Sequence, residues 1–207
     1  MDWDKIPTDK IIQTTAAALE SNGVDVFIVK NSAAAKAMVL EIIPHGAEVM
    51  TMTSQTVENI GLATDLNDSG NYNSVRQTLT GLPKDTDPIQ KLKIGAAPEW
   101  AVGSVHAITE DGKIMVASQS GSQLPAYASG SAHVVWVVGA QKIVPDLNTG
   151  WKRISEYVLP LESARAHSAY HIPANLPGSA INKLFILNKE TKPHRLTVIL
   201  VKEILGF

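Results

Sequence analysis

Val24-Asp25-Val26-Phe27-Ile28-Val29 reads as a strand, and its unbroken apolar run from Val26 to Val29 predicts burial on both faces, as in a parallel sheet covered by helices. The flanking sequence agrees. Upstream, Pro7 stands at a first-turn position, Ile11, Ile12, Ala16 and Leu19 recur at helical spacing, and Gly23 stops the helix. Downstream, Asn31 or Ser32 can cap a helix carrying Ala34, Ala35, Met38, Val39 and Ile42; Pro44 and Gly46 end it before a second strand over residues 47–52.

Further along, Thr53 or Ser54 opens a third helix with Val57 and Ile60 on one face, Gly61 for close approach, and Leu62 extending the apolar side. Residues 63–88 are rich in Asp, Asn, Gly, Ser, Thr and Pro and read as a long excursion with one short helix near 74–79. Strand-like runs then fall at 102–108, 113–117, 133–138, 184–187 and 196–201, with a helical stretch over 149–169 between the third and fourth. This alternation predicts an α/β class, residues 1–207 forming a single domain with a twisted, mostly parallel sheet and helices on both faces. Ligands of such sheets bind beyond the carboxyl ends of the strands, which directs attention to the loops starting at Thr53, Thr109 and Ser118.

The 207 residues are 44% apolar and 18% charged, a globular composition with enough length for one sizeable core. A formal net charge of -2 and a pI near 6.3 give no electrostatic reason to expect nucleic acid or an anionic membrane as partner. With no cysteine, the chain can offer no disulfide, no thiolate nucleophile and no cysteine ligand to zinc or an iron–sulfur cluster. The start Met1-Asp2-Trp3-Asp4-Lys5 lacks the pattern of a signal peptide, and no apolar stretch approaches membrane-spanning length, so a soluble, cytoplasmic protein is expected.

Several short stretches could carry chemistry. Thr53, Ser54 and Thr56 follow a strand and open a helix, where hydroxyls and N–H groups can meet a phosphate or carboxylate, although the same residues serve as ordinary caps. Gly121, Ser122 and Gln123 form a second small-residue turn, ahead of a short helix over 124–128. Lys142, just past a buried strand, could meet an anion, although such a lysine is more often solvated. In Thr109-Glu110-Asp111-Gly112, turn geometry accounts for Asp111 and Gly112 but not for Glu110, whose carboxylate could act as base or nucleophile. His167 and His171 stand at the i, i+4 spacing of a metal pair, but no third ligand is evident and no metal site is assigned. The tryptophans Trp3, Trp100, Trp136 and Trp151 are scattered and read as packing residues.

Ala107-Ile108-Thr109-Glu110-Asp111-Gly112, followed by Val134-Val135-Trp136-Val137-Val138-Gly139 with Lys142-Ile143-Val144 and Asp146, resembles the LUD domain family, named for lactate utilisation. Thr56-Val57-Glu58-Asn59-Ile60-Gly61-Leu62 is similar to that family's early helix, and Thr197-Val198-Ile199-Leu200-Val201 with Leu205-Gly206-Phe207 to its last strand, so the likeness runs along nearly the whole chain. The resemblance implies the fold shared by glucosamine-phosphate isomerases, ribose-phosphate isomerases and CoA transferases, a superfamily that hosts several chemistries. The chain departs from many small members at His106, near Gln123-Leu124, and over residues 166–180, where they carry a cysteine-containing segment.

From that resemblance follow expectations about function. The first is a role in lactate or organic-acid metabolism with a small anionic metabolite as ligand: a CoA ester, a phosphate or a carboxylate. By analogy with CoA transferases, Glu110 would form an acyl anhydride, with N–H groups near Gly121 and Ser122 holding the oxyanion. The second is a non-catalytic accessory subunit for the iron–sulfur partners of a lactate-oxidising system. A sugar-phosphate isomerase ranks last, because no acid and base pair is identifiable. The apolar segment at residues 204–207 could dock a second copy in a homo-oligomer.

Overall fold

Gly23 ends the first helix as expected, but the helix starts later than its sequence suggests, with Pro7 ahead of the cap and not in the first turn. In the computed structural model, which describes residues 2–207, the Thr8 side chain caps α1 (Asp9–Ser21), and Gly23, at φ +81°, turns the chain into β1 (Asp25–Val29). Asn31 caps α2 (Ser32–Ile42), β2 (Glu48–Thr51) follows, and Ser54 caps α3 (Gln55–Asn59). Left-handed Gly61 separates α3 from α4 (Leu62–Asp68).

The excursion is more ordered than its polar composition suggests. Besides α4 it holds β3 (Asn73–Ser74) and α5 (Val75–Gly81), and α6 (Pro88–Ala96) comes next. The run expected as one strand over 102–108 is two: β4 (Trp100–Gly103) and β5 (Ala107–Thr109), joined where the chain leaves one sheet for another at Ser104 to His106. Then come β6 (Ile114–Ser118), a π-helical turn Ala126–Gly130, β7 (His133–Gly139) and β8 (Ile143–Val144). The helical stretch is α7 (Leu147–Lys152), a π-helical segment Arg153–Val158 and α8 (Leu159–Tyr170), and β9 (Lys183–Leu187) and β10 (Leu196–Val201) complete the chain.

Six strands form a wholly parallel sheet in the order β1-β10-β7-β4-β2-β3, and four form a mixed sheet, β8-β5-β6-β9. Alternation along β7 sets the layers. Val134, Trp136 and Val138 join Ile12 and Leu19 of α1 and Ile108, Ile114 and Val116 of the small sheet in one core. Val135 and Val137 face the opposite way, onto Val39 of α2, Val57 of α3 and Leu62 and Leu66 of α4. The small sheet's outer face, with Ala107, Met115 and Ala117, is closed by Ile154. β1, expected to be buried on both faces, is instead an edge strand paired only with β10, which leaves Phe27 41% exposed.

The β5–β6 turn is docked under α1. Gly112, at φ +81°, closes the turn by donating its N–H to Thr109 O at 2.8 Å, and the Asn22 side-chain amide donates to the carbonyls of Asp111 and Gly112 at 3.1 and 3.2 Å. A Cβ on Gly112 would lie 2.7 Å from the Ala18 carbonyl carbon and 2.8 Å from the Leu19 nitrogen. Gly112→Ala therefore combines left-handed strain with a backbone clash, and urea unfolding should show a loss of at least about 2 kcal/mol. A loss below about 0.5 kcal/mol would mean that α1 does not rest on this turn.

Candidate functional site

The loops leaving β2, β4 and β7 enclose a cleft of about 810 Å³, the upper part of the range for ligand sites. In the large sheet, β2 connects outward to β3 and the chain then returns through β4 to β7, so the cleft sits where the strand order reverses. Lys142 reaches its floor from a 3₁₀ turn that directly follows β7. Although read from sequence as a residue that is more often solvated, Lys142 is only 1% exposed.

Lys142 Nζ lies 3.1 Å from Thr56 Oγ1, 3.1 Å from Ser104 Oγ and 3.2 Å from Val105 O. Among the described residues it forms no ion pair. Burial, reinforced by the neighbouring Arg153 guanidinium, holds the ammonium well below the usual lysine range. Thr56 is itself fixed, donating to Leu205 O at 3.2 Å, and the Gln141 amide donates to the same carbonyl at 3.1 Å. The C-terminal segment expected to dock a second copy thus helps to build this site, with Leu205 buried and Phe207 on the cleft wall.

His106 lines the cleft beside Lys142. Its Nδ1 accepts the Ala117 N–H at 3.1 Å, so the ring hydrogen sits on Nε2, and burial together with Lys142 and Arg153 pushes its pKa down to about 3. Behind it, Arg153 is fully buried. One of its terminal nitrogens donates to the His106 carbonyl at 2.6 Å, while Nε and Nη2 have no partner among the described residues. Tyr127 also faces the cleft, and its hydroxyl overlies Gly103 so closely that a Cβ there would stand 1.9 Å from it. Arg195 holds the Tyr127 turn by donating to the carbonyls of Ala126, Tyr127 and Ser131, and Glu190 neutralises it at 2.7 Å.

Of the residues singled out from sequence, Thr53, Ser54, Thr56, Ser122, Gln123 and Lys142 come together on this cleft. Gly121 is beside it rather than on the wall, and its N–H donates to Ser118 Oγ at 2.8 Å, while the Ser122 N–H donates to Ser120 Oγ at 3.3 Å. The loop thus already uses the N–H groups expected to hold an oxyanion. Glu110 is not a wall residue. Its N–H donates to Val144 O at 2.9 Å at the start of β6, whereas the Gly121–Ser122 loop follows the end of β6. A five-residue strand, on the order of 15 Å long, therefore separates the two groups expected to act together.

The His167 and His171 pair is also divided. His171 sits in the left-handed conformation at the end of α8, and His167 Nδ1 is 3.0 Å from Ile172 O. Ser104, His106, Tyr127 and Arg153 carried no sequence signal as a set, since tertiary contact assembles them from three separate segments. The only available hint was the small polar sequence Ser104-Val105-His106 after a strand.

The cleft's ionisable side chains include the cations Arg76, Lys91 and Arg165 and the Lys142 amine against the single side-chain carboxylate of Glu162. Glu162 is taken up by two hydrogen bonds from Arg165, at 2.6 and 2.7 Å, which leaves the cleft positively charged. Its upper walls are apolar, with Met52, Leu79, Leu92, Ile154, Val158 and Leu159.

An α/β domain carrying a basic, apolar-walled cleft at the carboxyl ends of parallel strands is the class that fold and site define. The LUD domain sequence profile matches residues 12–201, and the chain belongs to the LUD domain family. In structure it is similar to a DUF162 family protein from Deinococcus radiodurans, with a TM-score of 0.59 at 13% identity, covering 94% of this chain and 99% of that one, a likeness of fold. An eIF2B beta structure from Chaetomium thermophilum aligns with a TM-score of 0.31 at 11% identity, over 67% of this chain and 44% of that one. No curated protein sequence matches. No helix among the described residues is long and apolar enough to cross a membrane.

Because His106 is neutral when folded and takes a proton near pH 6.5 when unfolded, its contribution to stability is complete above pH 6.5 and is lost as pH falls towards 3. Between pH 7.5 and pH 4.5 the wild-type protein should lose about 2 kcal/mol more unfolding free energy than His106→Gln, measured with urea. Equal losses would show that His106 is not held neutral.

Proposed function

We propose that this LUD domain protein serves lactate or organic-acid metabolism by binding an anionic ligand in the cleft above Lys142. Membership of the family supports the metabolic setting. The observation that carries the ligand class is Lys142 itself, a buried amine without a carboxylate partner at the floor of a cleft with excess positive charge. An arriving oxyanion would raise the proton affinity of this amine and pair with the ammonium so formed.

The volume and the apolar walls argue for a ligand larger than a three-carbon acid, with an anionic head and an apolar body. Carboxylates with a hydrocarbon tail, acyl-CoA esters and organic phosphates share that description. The Ser104 hydroxyl and the His106 Nε2–H supply hydrogen bonds for the head, and Met52, Leu79 and Val158 supply surface for the body. Glu110, outside the wall, has no part in this reading.

The test is a thermal-shift series with lactate, 2-hydroxy-4-methylpentanoate, acetyl-CoA and inorganic phosphate, alongside uncharged amide analogues. At a hundred times its dissociation constant, a ligand should raise the melting temperature by about 5 °C or more in the wild type, and by far less in Lys142→Met. The reading fails if no anion stabilises the protein, or if the amides do so equally well.

A further inference from the structure

We infer that the Lys142 amine is a nucleophile that forms an imine with the carbonyl carbon of an anionic ketone or aldehyde, a 2-oxo acid being the simplest member of that class. This rests on the reading of the cleft as an anionic-ligand site and adds covalent chemistry to it.

The hydrogen bonds around Nζ fit a neutral amine. Thr56 spends its own hydrogen on Leu205 O, so Thr56 Oγ1 accepts from Nζ, and Val105 O can only accept. Those two bonds use both hydrogens of an NH2 group. The third bond runs from Nζ to Ser104 Oγ when the amine carries three hydrogens; with the serine hydroxyl turned round it donates into the lone pair instead, so the same neighbours serve an uncharged amine.

The contrast with Arg195 points the same way. Arg195, which organises the Tyr127 turn, is paired with the half-buried carboxylate of Glu190 at 2.7 Å. Lys142 is equally buried but has hydroxyl and carbonyl neighbours, with the Arg153 guanidinium nearby and no acid. Displacing the Ser104 hydroxyl exposes the lone pair to the cleft, which Lys142 lines. The Tyr127 hydroxyl and the His106 ring, both on the wall, are donors for the ligand's oxygen.

The step balances without an oxidant or reductant. The Nζ lone pair forms the N–C bond as the C=O π pair moves to oxygen, which takes one amine hydrogen to give a carbinolamine. The second amine hydrogen and that hydroxyl then leave as water while nitrogen's electrons form C=N. Cationic when protonated, the imine draws electrons from the adjacent carbon and eases loss of a proton or a carboxylate there.

The experiment incubates the wild-type protein with pyruvate or 4-methyl-2-oxopentanoate, reduces with borohydride, and maps the adducts by peptide mass. Acetone and 2-hydroxy-4-methylpentanoate serve as the uncharged ketone and the anion without a carbonyl. The expected result is a reduced adduct at Lys142 from the oxo acids, at least tenfold above that at exposed Lys10 and persisting at pH 7, with neither control labelling Lys142. No preference for Lys142, or equal labelling by acetone, overturns the inference. Stabilisation by the hydroxy acid without any oxo-acid adduct would sink the imine while leaving the anion reading intact, whereas failure of every anion to bind or label would sink both.

Discussion

The parallel ladder of β4, β7 and β10 is the constraint from which the site follows. Its register places Gly103 beside Trp136 and Val201 beside Gly139, so the three strands deliver their exits to one edge of the sheet. From those exits come Ser104 and Val105, then Lys142, then Leu205. Shifting one strand by a residue would turn its buried side chains to the opposite face and separate these groups. The ladder is held by strands buried on both sides, with Trp136 fully enclosed and in edge contact with Tyr127 at 5.1 Å between ring centroids.

Close backbone approach tightens this edge. At Gly139 a Cβ would meet Gln141 Oε1 at 2.1 Å and the Leu205 nitrogen at 2.7 Å, and at Gly206 it would meet Thr56 Oγ1 at 2.5 Å. Bare glycines thus let the C-terminal segment lie against β7 and α3, where Leu205 O receives the hydrogen bonds of Thr56 and Gln141. The hydroxyl orientation that satisfies Lys142 is therefore set by the last residues of the chain.

Much of the fold was legible because its signals are local. Caps at Asn31 and Ser54, the glycine stop at Gly23 and the apolar run of β7 each announce an element, whereas Pro7, read at a first-turn position, lies ahead of the Thr8 cap. What misled was periodicity without context: Val102, Val105, Ala107 and Ile108 read together as one strand, although the chain crosses between sheets at the polar Ser104 to His106. The site was legible by loop rather than by role. Thr53, Ser54, Thr56, Ser122, Gln123 and Lys142 gather as strand-end residues should, while Glu110 lies at the far end of β6. The burial of Lys142 could not be read from sequence, since it depends on contacts with residues 37, 38 and 86 positions away.

The central claim is that burial, reinforced by the neighbouring Arg153 guanidinium, holds Lys142 as an uncharged amine. Its titration can be followed directly by NMR of protein labelled with ¹³C at lysine Cε, with Lys142 assigned by substitution to methionine. The claim requires the Lys142 Cε resonance to titrate with a midpoint well below the free lysine value of about 10.4. A Lys142 midpoint at that value would contradict it.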